Sequence, residues 1–216
     1  MNGIELIDKY FPSLTDKQKH QFEILEQLYP EWNEKINVIS RKDIDNLVAN
    51  HILHSLSIAR FLGPISQQTT FLDLGTGGGF PGIPLAIMYP ENKFHLIDRI
   101  AKKLKVAEDI ARNAGIENVT FQHGDIGECH TRFNYVVSRA VMPLNELARL
   151  AARNVLPVSP KSNRYSNGII CLKGGDLAEE SIGVRFPVIE YPLNEFFSET
   201  FYNTKKLVYL PTTNKK

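Results

Sequence analysis

Residues 71–84 have the sequence FLDLGTGGGFPGIP. The apolar start is typical of a buried strand, and the glycines that follow allow positive φ angles and close approach of a ligand to the backbone. Pro84 lies where a helix is expected to begin, and a proline is tolerated there because first-turn amides have no acceptor within the helix. The stretch therefore predicts a strand, a glycine loop and a helix, with a nucleotide-like ligand lying on the loop.

Two registers of the glycine loop predict different ligands. Gly77, Gly79 and Gly82 match the G-x-G-x-x-G fingerprint of dinucleotide sites, but this register leaves Gly75 unused. The register Gly75-x-Gly77-x-Gly79 begins where the strand ends and suits S-adenosylmethionine better. That ligand has no pyrophosphate, so it does not require an unobstructed helix N-terminus.

Two aspartates at the ends of the next predicted strands support a nucleoside ligand. Asp98 lies about twenty residues beyond the loop, where a carboxylate can accept hydrogen bonds from both ribose hydroxyls. This spacing fits NAD and S-adenosylmethionine equally. Asp125 follows the third predicted strand and can accept from an adenine amino group, although a turn or helix cap explains an aspartate there equally well.

The pattern downstream of Thr69 is typical of a mostly parallel, doubly wound α/β sheet, because short apolar runs alternate with helical periodicity. The predicted strands cover residues 70–74, 93–97, 119–122, 133–138 and 168–173, and helices are predicted over 102–114 and 144–154. Residues 186–191 and 206–210 have strand character with no long helix between them, so we expect them to pair antiparallel at the sheet edge. Residues 157–168 have loop composition.

Residues 1–66 are predicted to form a small N-terminal helical subdomain, which precedes an S-adenosylmethionine-binding Rossmann-like domain over residues 67–216. Thr15 and Gln18 form a capping box before a helical pattern that we expect to kink or end near Pro30. A second helix is predicted from Asp43 to Gly63.

Two histidines of this second helix, His51 and His54, have the spacing of metal ligands. No third ligand is apparent, so no metal site is expected. We expect His51 instead to form a hydrogen bond between the helical subdomain and the sheet.

Composition places further limits on the function. The chain has 216 residues, of which 43% are hydrophobic and 23% charged, as in ordinary folded proteins. Its net charge of +1 is too small for broad phosphate binding, so any RNA contact must be a local patch. Neither a membrane span nor a signal segment is apparent, and nothing demands a dimer, so we expect a cytoplasmic monomer. Cys129 and Cys171 are expected to be reduced packing residues.

From about Leu14 to Leu210 the chain resembles the ribosomal small-subunit methyltransferase G family, also known as glucose-inhibited division protein B. The most specific marks are residues 75–86 and Ser138-Arg139-Ala140. Further marks are Trp32-Asn33, residues 37–41, His51-Ile52-Leu53, Lys102-Lys103 and Leu172-Lys173-Gly174. The resemblance implies a Rossmann-like class I methyltransferase fold.

The resemblance also implies an activity, namely methyl transfer from S-adenosylmethionine to N7 of a guanine in the decoding-region loop of 16S rRNA. The positions that it implies for cofactor binding are Gly75, Phe80, Ile126, Gly127 and Arg139. The chain departs from common family residues at His54, where the family often has Asp, and at Asp125-Ile126-Gly127, where it often has Arg-Ala-Glu.

Guanine N7 fits the residues present on chemical grounds. N7 has a lone pair and no proton, so its methylation needs alignment and electrostatics rather than a general base. The sequence contains neither the Asn/Asp-Pro-Pro-Tyr/Phe motif of amino-group methylators nor a Pro-Cys nucleophile. These observations favour a purine-nitrogen acceptor.

Arg139 is the candidate catalytic residue, because it follows the fourth predicted strand at the expected ligand edge. Its donor fork can pair with a cofactor carboxylate, guanine O6 or an RNA phosphate. The alternative is a surface ion pair with Glu146 or Glu128.

RNA binding is expected from a rim of basic residues, provided that they converge in the fold, although each alone is better explained as solvated surface. The principal candidates are Arg41, Lys102, Lys103 and Lys173. Three other functions remain open at this point: a nicotinamide-dependent oxidoreductase, a binding protein without chemistry, and a small-molecule methyltransferase.

Overall fold

Seven strands in the described part of the chain form a single mixed sheet. The computed structural model describes residues 3–139 and 141–212, so Ala140 of the Ser138-Arg139-Ala140 mark lies outside the described residues. The strands are β1 (Thr70–Leu74), β2 (Lys93–Asp98), β3 (Val119–His123), β4 (Tyr135–Arg139), β5 (Gly168–Gly174), β6 (Ile189–Pro192) and β7 (Lys205–Pro211). Their order is β3-β2-β1-β4-β5-β7-β6.

The strand directions confirm the doubly wound α/β architecture. β1 to β5 are parallel to one another, whereas β7 is antiparallel to both β5 and β6. The expected antiparallel pairing at the sheet edge is therefore confirmed. The fourth strand begins at Tyr135 rather than at Phe133, because Phe133 pairs instead with Val155 in an isolated bridge.

Helices cover both faces of the sheet. They are α1 (Gly3–Tyr10), α2 (Asp16–Lys35), α3 (Leu53–Leu62), α4 (Gly82–Met88), α5 (Ala101–Asn113), α6 (Leu144–Ala151) and α7 (Ala178–Ser181). Short 3₁₀ helices lie at Ile44–Asn46, Ile126–Glu128, Ala152–Asn154, Leu193–Glu195 and Thr200–Thr204. Among the described residues, no helix has both the length and the apolar composition needed to cross a membrane.

Apolar side chains that alternate between the two faces of the strands form two hydrophobic cores, one on each side of the sheet. In β1, Phe71 belongs to the core that α1 to α5 cover, whereas Leu72 belongs to the core beneath α6. β4 repeats the pattern with Tyr135 and Val136, because successive side chains of a strand point to opposite faces. Cys171 is buried and unpaired, as is Cys129, which confirms both as packing residues.

The N-terminal helices pack directly on the helices of the sheet. Gln18 donates to the Ile87 carbonyl at 2.8 Å, Gln21 donates to the Ala114 carbonyl at 3.0 Å, and the Trp32 indole donates to Asp109 at 2.9 Å. The helices and the sheet thus share one continuous core. The subdomain boundary near residue 66 stays a prediction.

The two predicted N-terminal helices are present, with differences in detail. α2 does not end near Pro30 but continues to Lys35, because burial of Phe22, Leu25 and Tyr29 outweighs the one amide donor that the proline removes. The second helix follows Asp43 as expected and ends before Gly63, but it contains a π turn over Leu47–Ile52. Hydrophobic periodicity carried no signal for this turn.

The capping box of α2 provides a test of the local structure. The Thr15 hydroxyl accepts from the Gln18 amide at 3.2 Å, and the Gln18 side chain accepts from the Thr15 amide at 3.0 Å. We expect Thr15→Ala to lower the free energy of unfolding by about 1 kcal/mol in denaturant titration, because one first-turn amide loses its acceptor. Thr15→Ser keeps the hydroxyl and should remain near wild type; an equal loss in both variants would contradict the assignment.

Candidate cofactor and active site

A cavity of about 790 Å³ opens at the carboxyl ends of β1 and β4. These strands are neighbours, but α4, which follows β1, and α6, which follows β4, pack on opposite sheet faces. Ligands of open α/β sheets bind at such a switch point. The cavity is lined by seven of the eight residues predicted to bind the cofactor, namely Gly75, Gly77, Phe80, Asp98, Asp125, Ile126 and Arg139.

Asp73 holds the glycine loop in its conformation. One oxygen, Oδ2, accepts from the Thr76 hydroxyl at 2.6 Å and from the Gly82 amide at 2.7 Å, so it ties the loop to the start of α4. The residue is fully buried. Burial raises the pKa of the Asp73 carboxyl to about 7, although the hydrogen bonds from Thr76 and Gly82 oppose this rise.

The N-terminus of α4 has no free amide for a pyrophosphate. The Gly82 amide donates to Asp73, the Ile83 amide donates to the Gly79 carbonyl at 2.7 Å, and Pro84 has no amide hydrogen. A dinucleotide site needs such amides to bind its phosphates, and a carboxylate at this helix end would repel them. The structure therefore favours the S-adenosylmethionine register over the dinucleotide register.

Gly77 forms the floor of the cavity where a ligand can approach the backbone. Its φ is +57°, and a β-carbon added there would meet no atom within 4 Å. Its amide donates to Oδ2 of Asp98 at 2.7 Å, while Oδ1 accepts from the Ile100 amide at 2.8 Å. A carboxylate has about four acceptor sites, so Asp98 retains capacity for ribose hydroxyls.

Asp125 caps a 3₁₀ helix, which is the simpler of its two expected roles. Its side chain accepts from the Gly127 amide at 2.8 Å, and Glu128 accepts from the Asp125 amide at 2.9 Å. Asp125 and Ile126 line the cavity, whereas Gly127 is not among the residues that line it. An adenine contact by Asp125 stays a prediction.

Arg139 places a cation against the wall of the cavity. Its Cζ atom lies 4.8 Å from the centroid of the Phe80 ring, in cation–π contact, and Nη1 donates to Nδ1 of His51 at 2.8 Å. Burial lowers the pKa of Arg139 to about 10, and nearby Asp73 opposes that shift, so the guanidinium stays protonated at neutral pH. The alternative of a surface ion pair is wrong, since the described contacts of Arg139 lead inward.

His51 joins the N-terminal helices to the sheet, as expected. Its Nε2 lies 2.6 Å from Oδ2 of Asp43, and its Nδ1 faces Arg139. Burial, followed by the Arg139 charge, lowers the pKa of His51 to about 4, so the ring is neutral near pH 7. Nε2 then carries the hydrogen and donates to Asp43, while Nδ1 accepts from Arg139. The His54 ring packs elsewhere, against Phe201.

Sequence reasoning missed the segment that covers the glycine loop. The Asn33 side chain accepts from the amides of Val38 and Ile39 at 2.9 Å each, which holds Val38 against Gly78 at the cavity wall. The Tyr29 hydroxyl donates to the Gly78 carbonyl at 2.7 Å. Only the family marks Trp32-Asn33 and residues 37–41 indicated this segment.

The four residues predicted to bind RNA occupy different environments. Lys103 lines the cavity, while Lys102 and Arg41 are exposed. The ammonium of Lys173 is largely buried and donates to the Met142 carbonyl at 2.6 Å and to Glu180 at 2.5 Å. An RNA contact by any of the four stays a prediction, and Lys173 already has a structural role in holding the segment after β4.

The relationship to known proteins agrees with this geometry. A model of the family described as rRNA small subunit methyltransferase G matches residues 18–180. The chain belongs to this family. Membership confirms the expected enzyme class, an S-adenosylmethionine-dependent rRNA methyltransferase, and the cofactor predicted from the glycine loop.

Individual relatives match almost the whole chain. The ribosomal RNA small subunit methyltransferase G of Bacteroides fragilis strain YCH46 is 51% identical over 209 residues, which are 97% of this chain and 92% of that protein. The protein of the same name from Phocaeicola vulgatus is 52% identical over 207 residues, 96% of this chain and 98% of that one.

Solved structures show the same fold. A SAM-dependent methyltransferase from Aquifex aeolicus superposes with a TM-score of 0.55 at 15% identity, covering 80% of this chain and 98% of that one. The Rossmann-like methyltransferase architecture is thereby confirmed.

The glycine loop assignment can be tested with two matched variants. Gly77→Asp would place a carboxylate in the cavity near Asp98, so we expect calorimetry to detect no S-adenosylmethionine binding. Gly115 has a similar φ of +60° and equally open space around an added β-carbon, but it lies at the end of α5 outside the cavity. Gly115→Asp should therefore carry the same backbone strain and keep wild-type affinity. Unchanged affinity in Gly77→Asp would show that the ligand lies elsewhere.

Proposed function

We propose that this enzyme transfers the methyl group of S-adenosylmethionine to N7 of a guanine in the decoding-region loop of 16S rRNA. The observation that carries the proposal is the protonated Arg139 guanidinium at the carboxyl end of β4, facing the same cavity as the glycine loop. Guanine presents O6 beside N7, so an arginine that donates to O6 alone lies next to the acceptor nitrogen.

The cavity offers complementary groups for each part of the cofactor. We assign the cofactor to Gly75, Gly77, Phe80, Asp98, Asp125, Ile126, Gly127 and Arg139. Asp98 would accept from the ribose, the backbone near Ile126 would contact the adenine, and Arg139 would attract the carboxylate. When bound, the cofactor supplies an electrophilic methyl group on a sulfonium. A cavity of this size is within the usual range for small-molecule sites, roughly 300–1,000 Å³.

The reaction at N7 asks the protein for alignment rather than proton transfer. The N7 lone pair attacks the methyl carbon, the bond from that carbon to sulfur breaks, and the purine gains the positive charge. Arg139 would hold either the cofactor carboxylate or guanine O6, so that the acceptor nitrogen and the methyl carbon meet in line. A guanidinium bonded to O6 leaves N7 free.

RNA binding would come from a local basic rim, as the net charge of +1 requires. Lys103 and two arginines, Arg99 and Arg149, line the cavity, and Lys102 and Arg41 are exposed. We propose that phosphates of the decoding-region loop bind along this rim, with affinity that falls as salt is raised.

The cellular setting follows from this substrate. We propose a cytoplasmic monomer whose partner is 16S rRNA or the small ribosomal subunit. In this proposal the helical subdomain over residues 1–66 supplies one wall of the site and the domain over residues 67–216 binds the cofactor. The bond from the Tyr29 hydroxyl to the Gly78 carbonyl and the bond between His51 and Arg139 support that division of labour.

The decisive assay is transfer of labelled methyl from S-adenosylmethionine to small subunits from cells that lack this gene. We expect nuclease digestion and mass spectrometry to recover the label as 7-methylguanosine from a single 16S site. Label in another nucleoside, or none despite measurable cofactor binding, would reject the N7 assignment and indicate a different acceptor.

Arg139→Ala tests the residue that carries the proposal. We expect a loss of methyl transfer on the order of 100-fold or more, because a charged group at the reacting centre is removed. Arg112→Ala is the control, since Arg112 is an exposed arginine paired with Asp109. Circular dichroism should show both variants folded, and wild-type turnover in Arg139→Ala would refute the role. Weaker cofactor binding in Arg139→Ala would assign the guanidinium to the carboxylate, and unchanged binding to the guanine.

A further inference from the structure

We propose that His51 is a positioning residue for methyl transfer: backed by Asp43, it holds the Arg139 guanidinium in its working orientation against Phe80. The proposal rests on the proposed function of Arg139. Among the described residues that line the cavity, His51 is absent, so it would act through Arg139 and not on the substrate.

The three side chains form one continuous chain of hydrogen bonds. Asp43 lies 2.6 Å from Nε2 of His51, and Nδ1 of His51 lies 2.8 Å from Nη1 of Arg139. The His51 ring also contacts Phe80, with ring centroids 5.7 Å apart. The guanidinium is therefore held between an imidazole and a phenyl ring, which restricts both its position and its plane.

His51 lies in the π turn over Leu47–Ile52, which presents two neighbouring side chains to Asp43. Asn50 and His51 are successive residues, yet both reach Asp43, with Asn50 donating to Oδ1 at 2.6 Å and His51 facing Oδ2. In an α-helix, successive side chains point about 100° apart, and a π turn widens the backbone locally. Tyr202 anchors the same turn from the far side by donating to the Ala49 carbonyl.

A flexible arginine gains from such support. Arginine loses on the order of 2 kcal/mol of side-chain entropy when it is fixed in one rotamer, so an unsupported guanidinium would sample many orientations. A neutral imidazole accepts a hydrogen bond from the guanidinium without neutralising its positive charge. The other N–H donors of the guanidinium then stay available to ligands. Because the hydrogen bond between His51 and Arg139 forms when the protein folds, the entropy of ordering Arg139 is lost at folding and not during the reaction.

A purely structural role for His51 makes a different prediction. If the residue only fills space beneath the π turn, its removal should lower stability and leave the turnover of the folded fraction unchanged. If it positions Arg139, turnover should fall even where stability does not, and the loss should vanish once Arg139 is absent. The two readings can therefore be separated by measuring both quantities.

The test uses three single variants of the full chain. His51→Leu removes the acceptor, whereas His51→Asn retains a side-chain acceptor close to the position of Nδ1. His54→Leu is the matched control, because His54 is a buried histidine on the next helical turn whose ring packs against Phe201 and Tyr202. We expect His51→Leu to lower kcat on small subunits on the order of 10- to 100-fold with little change in KM, as a small misplacement of a reacting group does. His51→Asn should recover most of this loss, and His54→Leu should retain wild-type kcat.

A double variant decides whether His51 acts through Arg139. In the Arg139→Ala background, His51→Leu should cause no further loss, because the group that it positions is gone. Losses that multiply in the double variant would overturn the proposal, as would a kcat for His51→Leu equal to that of His54→Leu.

A measurement without RNA keeps this result separate from the proposed function. In the free enzyme, nitrogen NMR of Arg139 should show an ordered side chain in the wild type and increased side-chain motion in His51→Leu. If wild-type enzyme failed to methylate rRNA while this difference was present, the proposed function would fail and the positioning of Arg139 would stand. Equal order of Arg139 in both proteins would overturn the positioning role itself.

Discussion

The rest of the site depends on a buried carboxylate, Asp73, that hydrogen-bonds both ends of the glycine loop. Its Oδ2 accepts from Thr76 just after β1 and from Gly82 at the start of α4, so the loop cannot open without breaking both bonds. The same carboxylate occupies the helix end at which a pyrophosphate would bind. One interaction therefore shapes the cofactor loop and disfavours dinucleotides.

The second constraint is that the N-terminal helices complete the cavity. Tyr29 bonds the Gly78 carbonyl, Asn33 holds Val38 over the loop, and His51 reaches Arg139 on β4. Each contact is a polar group paired in a mostly buried setting, where an unpaired group would cost free energy. The glycine loop and the N-terminal helices are therefore expected to be stable only together, and Arg139 lies at the junction between them.

Much of the fold followed from local patterns. Hydrophobic runs located the five parallel strands and the antiparallel edge pair to within a few residues. This was possible because the apolar residues of a strand and the glycines of the loop after it are neighbours in the sequence. The expectation that α2 ends near Pro30 was wrong, because the loss of one helical hydrogen bond at the proline is outweighed by the packing of Tyr29 and its neighbours. The π turn left no local trace, and the side chains that bond it, Asp43 and Tyr202, lie outside the turn.

The order of residues was enough to determine the doubly wound sheet, the glycine loop and the family, since each rests on spacing within a short segment or on motif residues. Tertiary structure alone decided which side chains meet. It buried the ammonium of Lys173 against Glu180, made Asp125 a helix cap and brought His51 to Arg139, 88 residues away. Such pairings depend on how helices cross the sheet, which is a property of the whole packed core and not of any one segment.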